Sequence, residues 1–148
     1  MHSRLFKALI NIYPPYLGTG IRVKKVAPDY REILTEMKLR WYNRNYVGTH
    51  FGGSLYAMVD PFYMLMLMQI LGKSYTVWDK SSHIEFIRPA RGTVQARFQL
   101  IEADLHRIYE RTRDNGKYLP VFEVDITQGE TVIARAKKEL YVRRKKDA

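Results

Sequence analysis

Cysteine is absent from all 148 residues. That excludes disulfides, thiolate metal sites and a cysteine nucleophile, and it makes a reducing, cytoplasmic setting the expectation. Linkers are absent as well. No Gly-, Pro- or Ser-rich stretch divides the chain, no segment repeats and none is of low complexity, so residues 1–148 are read as one domain. Acidic residues are scarce, 15 against 25 lysines and arginines, which leaves a net charge of +10. The basic residues are scattered, and the one dense run, Arg143, Arg144, Lys145 and Lys146, opens a segment (143–148) read as a solvated basic tail. Nucleic-acid binding needs aromatics interleaved with such a run, and the tail has only Tyr141 beside it. The charge therefore points to an anionic partner and not to nucleic acid. The histidines at 2, 50, 83 and 106 show no ligand spacing, so no metal is expected, and no organic cofactor.

A signal peptide is not legible at the N-terminus. Lys7 interrupts Leu5, Phe6, Ala8, Leu9 and Ile10, and Pro14-Pro15 stands in place of a small-residue cleavage site. The spacing of Leu5, Phe6, Leu9, Ile10 and Tyr13 predicts a short amphipathic helix within residues 1–15, ending at the prolines. Packing on the body of the domain is one reading of it, and a membrane-surface anchor the other.

What is present, and rare, is a long apolar segment. Residues 54–71 are apolar almost all round and are closed by Gly72. A membrane span needs about 20 apolar residues, and Asp60-Pro61 interrupts this one. A surface helix would carry a polar stripe, which is missing. A helix buried at the centre of a domain fits best, with a kink at Pro61, and no stable membrane insertion is expected. Around it the pattern is of strands: 18–26, 33–41 (Ile33, Thr35, Met37, Leu39 and Trp41 on one face), 75–88, 93–103, and a hairpin of 121–127 with 131–142. A short helix over 104–113 is expected to be capped by Asp104. The fold class is α+β.

The stretches NYVGTHFGGSLYAMVD (45–60) and IEFIRPARG (84–92), set in that order of elements, resemble the hotdog thioesterase superfamily and its phenylacetyl-CoA-thioesterase-like branch. The wording GTHFGGSLYAMVDPFYM and YTVWDK is more similar to domain-of-unknown-function relatives. The resemblance implies an antiparallel sheet wrapped round the long helix, a homodimer with pairing into tetramers left open, and an acyl-CoA or related thioester as substrate. The branch pattern runs Asn, five residues, His-Gly-Gly, six residues, then Asp or Glu. Asn45, Gly52, Gly53 and Asp60 fall at those positions, whereas Phe51 occupies the histidine position and His50 lies one residue early.

Thioester hydrolysis needs donors for the oxyanion and an activated water or a carboxylate nucleophile. Gly52 and Gly53 lie where a helix start leaves backbone N–H groups unpaired, and they also serve simply to turn the chain. Asp60 is read as general base or nucleophile, reaching the thioester across a dimer interface as the resemblance implies. Its alternative is an ion pair with an Arg or Lys of the sheet. Asn45 orients the substrate or water, or holds the loop through an Asx-turn. His50 is a candidate to polarise the carbonyl or orient the water. Phe51, Thr49 and Ser54 are placed as substrate-binding neighbours, with Ser54 where a helix cap is useful. Asp79 and Lys80 are read as a local ion pair. The competing function is a non-catalytic hotdog protein that binds acyl-CoA or a fatty acyl group. A hotdog dehydratase would need a catalytic histidine paired with an acid in a different arrangement, which the chain lacks.

Overall fold

The computed structural model describes residues 1–145. Its elements are α1 (Ser3–Asn11), α2 (Pro14–Thr19), β1 (Ile21–Val26), β2 (Glu32–Lys38), α3 (Gly52–Ala57), α4 (Phe62–Leu71), β3 (Tyr75–Phe86), β4 (Thr93–Gln99), α5 (Glu102–Arg111), β5 (Lys117–Tyr118), β6 (Val121–Gln128) and β7 (Thr131–Arg144). One antiparallel sheet runs β1-β2-β4-β6-β7-β3, with β5 paired to β7 beyond the end of β6. The α3–α4 segment lies on its inner face. This is the hotdog arrangement.

Alternation explains the sheet. Val94, Ala96 and Phe98 of β4 point inward while Gln95, Arg97 and Gln99 face out. Ile33, Thr35 and Met37 of β2 are likewise buried, but the strand stops at Lys38, so Trp41 lies outside it and is exposed. Met58, Val59, Phe62, Tyr63, Met66 and Leu67 of the central segment pack onto that face. Full burial of such side chains contributes roughly 1.5–3 kcal/mol each. By length and composition residues 52–74 are apolar enough to cross a membrane, yet here they fill the core of the sheet.

The kink expected at Pro61 is a full break, and Met58 to Pro61 separate two helices. Pro61 has no N–H to offer the Ala57 carbonyl. Tyr16 hydroxyl donates to that carbonyl instead, at 3.2 Å. Gly72, at φ 70°, then ends α4 and returns its N–H to the Met68 carbonyl.

Several boundaries differ from the sequence reading. Pro14 and Pro15 do not only end α1 but open α2, where a missing N–H costs nothing. That helix takes Gly18 and Thr19, which were read as strand, Gly20 caps it, and β1 starts at Ile21. Asp104 is the third residue of α5 and accepts from the Ile101 N–H at 3.0 Å, so the helix starts two residues before the expected position. The basic run is not a free tail: Arg143 and Arg144 pair with Thr76 and Tyr75, and the Lys145 N–H donates to the Ser74 carbonyl. Residues 146–148, the rest of that expected tail, lie outside the described residues.

The two edges of the sheet are treated differently. On β1 the Asn11 side chain accepts from the Val23 N–H at 2.7 Å and donates to the Val23 carbonyl at 3.0 Å, capping the edge as another strand would. On β3, twelve residues long, no strand pairs with the outer edge among the described residues.

Candidate active site

The loop before α3 is held by its own side chains. Asn45 accepts from the Thr49 N–H at 3.0 Å through Oδ1, and its Nδ2 donates to Thr49 Oγ1 at 2.8 Å and to the His50 carbonyl at 3.4 Å. Both ends of the amide are thereby committed to the loop, as the Asx-turn alternative required. Thr49 is buried by the same contacts and faces its loop, not solvent.

His50 is 3% exposed. Its N–H donates to the Ala90 carbonyl, and its Nε2 lies 2.7 Å from the Gly92 carbonyl. A carbonyl only accepts, so Nε2 carries the hydrogen and Nδ1 is left as a buried lone pair with no hydrogen-bond partner among the described residues. Burial holds the imidazole pKa below the usual histidine value, partly offset by the Gly92 carbonyl. His50 thus stitches the loop to the β3–β4 connection, and its N–H is not available to polarise a substrate carbonyl.

Gly52 and Gly53 form the first turn of α3, with Phe51 at the cap position. Ser54 is therefore the third helical residue and not the cap, which corrects the sequence reading. The Ser54 and Leu55 N–H groups turn back to the Phe51 carbonyl. The Gly52 and Gly53 N–H groups meet no such acceptor among the described residues. Two half-exposed rings, Phe86 and Phe51, close over these glycines and would have to move aside for a side chain. A Cβ on Gly52 would stand 3.0 Å from the Phe86 ring, and one on Gly53 would stand 2.5 Å from the Phe51 ring. Asn45, Thr49, His50, Gly52 and Leu55 line a cavity of about 380 Å3 against residues 86–90. Phe86 and Arg88 on its wall were not singled out from the sequence as site residues, although the stretch that contains them was.

Asp60 is not among the residues lining that cavity. It sits in the break between α3 and α4, its side chain 45% exposed, and accepts from Lys138 Nζ at 2.8 Å. Lys138 is fully buried. It belongs to the apolar phase of β7, with Ala134, Ala136, Leu140 and Val142, and that phase is visible in the sequence. Asp79 Oδ1 lies 3.2 Å from the same ammonium without hydrogen-bond geometry. Lys80 pairs with Glu139 instead, at 2.9 Å, so the expected Asp79–Lys80 pair does not form. Adjacent strand residues face opposite ways: Asp79 is in phase with the buried Val77 and faces inward opposite Leu140, while Lys80, at the bulge that follows, faces out. Burial disfavours the Lys138 ammonium, but the Asp60 hydrogen bond and the two carboxylate charges outweigh it and raise its pKa. Burial also raises Asp79, against the pull of Lys138. Tyr56 completes the pocket, its ring 5.4 Å from the ammonium.

Among the described residues no group of three His, Asp or Glu side chains is placed to hold a metal ion. The chain thus carries two separate features: a loop with free glycine amides beside a cavity, and an ion-paired carboxylate at the helix break.

Comparison with other proteins bears on the fold. Residues 2–142 match the family described as a domain of unknown function, DUF4442. No curated protein matches the sequence. A Pseudomonas aeruginosa protein named a probable thioesterase superposes with a TM-score of 0.85 at 18% identity, over 98% of this chain and 97% of that one. A Chlorobaculum tepidum protein of unknown function gives 0.75 at 17% identity, covering 97% and 94%. A Haemophilus influenzae thioesterase gives 0.70 at 17% identity, covering 97% and 92%.

Proposed function

Since the chain belongs to the DUF4442 family and folds as a hotdog domain, we propose that it is a thioesterase that hydrolyses acyl-CoA or related thioesters at a site shared by two protomers of a cytoplasmic homodimer. The observation that carries this reading is Asp60: a half-exposed carboxylate, held by a buried lysine in a break of an otherwise apolar helix. Compensating Lys138 accounts for an acid at the break, but Asp79 also serves that lysine, and Asp60 keeps nearly half of its side chain open to water or substrate.

In the proposed reaction the thioester carbonyl oxygen receives the Gly52 and Gly53 N–H groups of one protomer. Asp60 of the partner subunit takes a proton from water, whose oxygen attacks the carbonyl carbon. The oxyanion collapses, the C–S bond breaks, and the thiolate leaves and takes up the proton. One such donor contributes typically about 2.7–4 kcal/mol to the transition state. Arg88 at the cavity wall offers positive charge to the phosphates of a coenzyme A substrate. The uncovered β3 edge supports dimerisation there, since the opposite edge is already capped.

Two observations favour a second reading, a non-catalytic acyl-CoA or fatty-acyl binder: His50 has no N–H to give, and the Phe51 ring lies over Gly53. Release of free coenzyme A from acyl-CoA thioesters of graded chain length separates the two. Turnover of at least one member supports hydrolysis, and saturable binding with no release across the series supports the binder.

A further inference from the structure

Outside that site, the fold leaves one apolar face unused. α1 is apolar on two sides. Phe6 is buried and Ile10 packs against the core, whereas Leu5, Leu9 and Ile12, at i, i+4 and i+7, point away from it. With Tyr13 and Leu17 they form a stripe whose members are 47–65% exposed. Covering the β1 edge requires only one apolar face, so the second has no partner within the protomer.

Beside the stripe lies a cavity of about 200 Å3, lined by Leu17 and Tyr42, by the four cations Arg22, Lys24, Lys38 and Arg40, and by one acid, Glu36. Lys24 is 3.8 Å from Glu36. Arg22, Lys38 and Arg40 make no ion pair among the described residues. Trp41, 81% exposed, stands edge-on to Tyr42 at the same rim.

We infer that this face docks on an anionic lipid bilayer, with the stripe in the headgroup–acyl boundary and a lipid phosphate in the cationic cavity. The juxtaposition selects lipid over a protein partner. A bilayer presents apolar depth directly beside a plane of negative charge, and Trp and Tyr favour that boundary. Cations near such a surface each strengthen binding by about fivefold, in a salt-dependent way. α1 is nine residues long, far short of the roughly 20 needed to span, so the contact is peripheral.

The test is co-flotation of the intact protein with phosphatidylcholine vesicles, with and without phosphatidylglycerol. Two variants accompany it: Leu9→Glu/Ile12→Glu, and Arg22→Gln/Arg40→Gln. All four positions are exposed, so melting temperatures should stay near wild type. The wild type should float with phosphatidylglycerol vesicles and dissociate as salt rises. The apolar-face variant should lose binding, and the cation variant should bind more than about tenfold more weakly. Absence of flotation at low salt overturns the proposal, as does equal flotation of all three proteins. Soluble glycerophosphoglycerol binding without vesicle binding would make the cavity a soluble-anion site and overturn it too. So would a larger assembly that the Leu9→Glu/Ile12→Glu variant dissociates, if the wild type never floats.

Discussion

A lysine on the apolar phase of a strand has to find negative charge, and Lys138 finds it in both Asp60 and Asp79. Either acid alone leaves the ammonium partly compensated. Replacing both (Asp60→Asn/Asp79→Asn) strands it, and breaking a buried pair in that way commonly costs about 3–5 kcal/mol. Denaturant melts should therefore show a loss well above the sum of the single substitutions, and adding Lys138→Met should recover most of it. His50 makes a second prediction at this scale. Its folded pKa is lowered, so above the ordinary value of 6.5 both folded and unfolded states hold it neutral. Below 6.5 the unfolded chain takes up a proton before the folded one does, and stability falls as the pH drops. In His50→Gln that part of the acid-side loss should vanish, as melting temperatures measured from pH 7.5 down to 5 would show. The sequence pointed to Asp60 by its place in an apolar run. Lys138 was equally visible from the alternation of β7, and an ion pair of Asp60 with a sheet cation was one of the two readings of that acid; that the cation is Lys138 was not legible. Asp79 faces inward by alternation with Val77, but the sequence did not show that it would share the ammonium with Asp60.

Among elements, the central apolar segment was legible in its length and its apolar surface, and Asp60-Pro61 as the place where it bends, though a kink was expected and two helices are found. What meets the break was not legible, since Tyr16 is 41 residues away in sequence from the Ala57 carbonyl that it satisfies. Tyr16→Phe should leave that acceptor unpaired at a cost of about 1–3 kcal/mol, and hydrogen exchange should speed up at the end of α3 and the start of α4. No change in either would show that water satisfies the carbonyl as well as the phenol does. Strand phases were likewise readable from alternation, whereas strand ends were not. β1 begins after two prolines that start a helix, and Arg143 and Arg144 extend β7 because β3 is there to pair with them.

At the scale of the whole molecule, the sheet has one capped edge and one open edge, and an open twelve-residue edge tends to pair with another chain. Light scattering on the eluting protein should give twice the chain mass at micromolar concentration, and a monomer there would remove the shared site. The central claim is that Asp60 carries the chemistry and does not merely neutralise Lys138. Its most direct test is turnover of the best acyl-CoA substrate by Asp60→Asn, in a preparation shown by light scattering to keep the wild-type oligomeric state and by melting to stay folded at the assay temperature. Loss of a general base typically lowers the rate by about 10²–10⁴-fold, and the account predicts a fall of that order with substrate binding little changed. Wild-type turnover by the folded Asp60→Asn protein would contradict it.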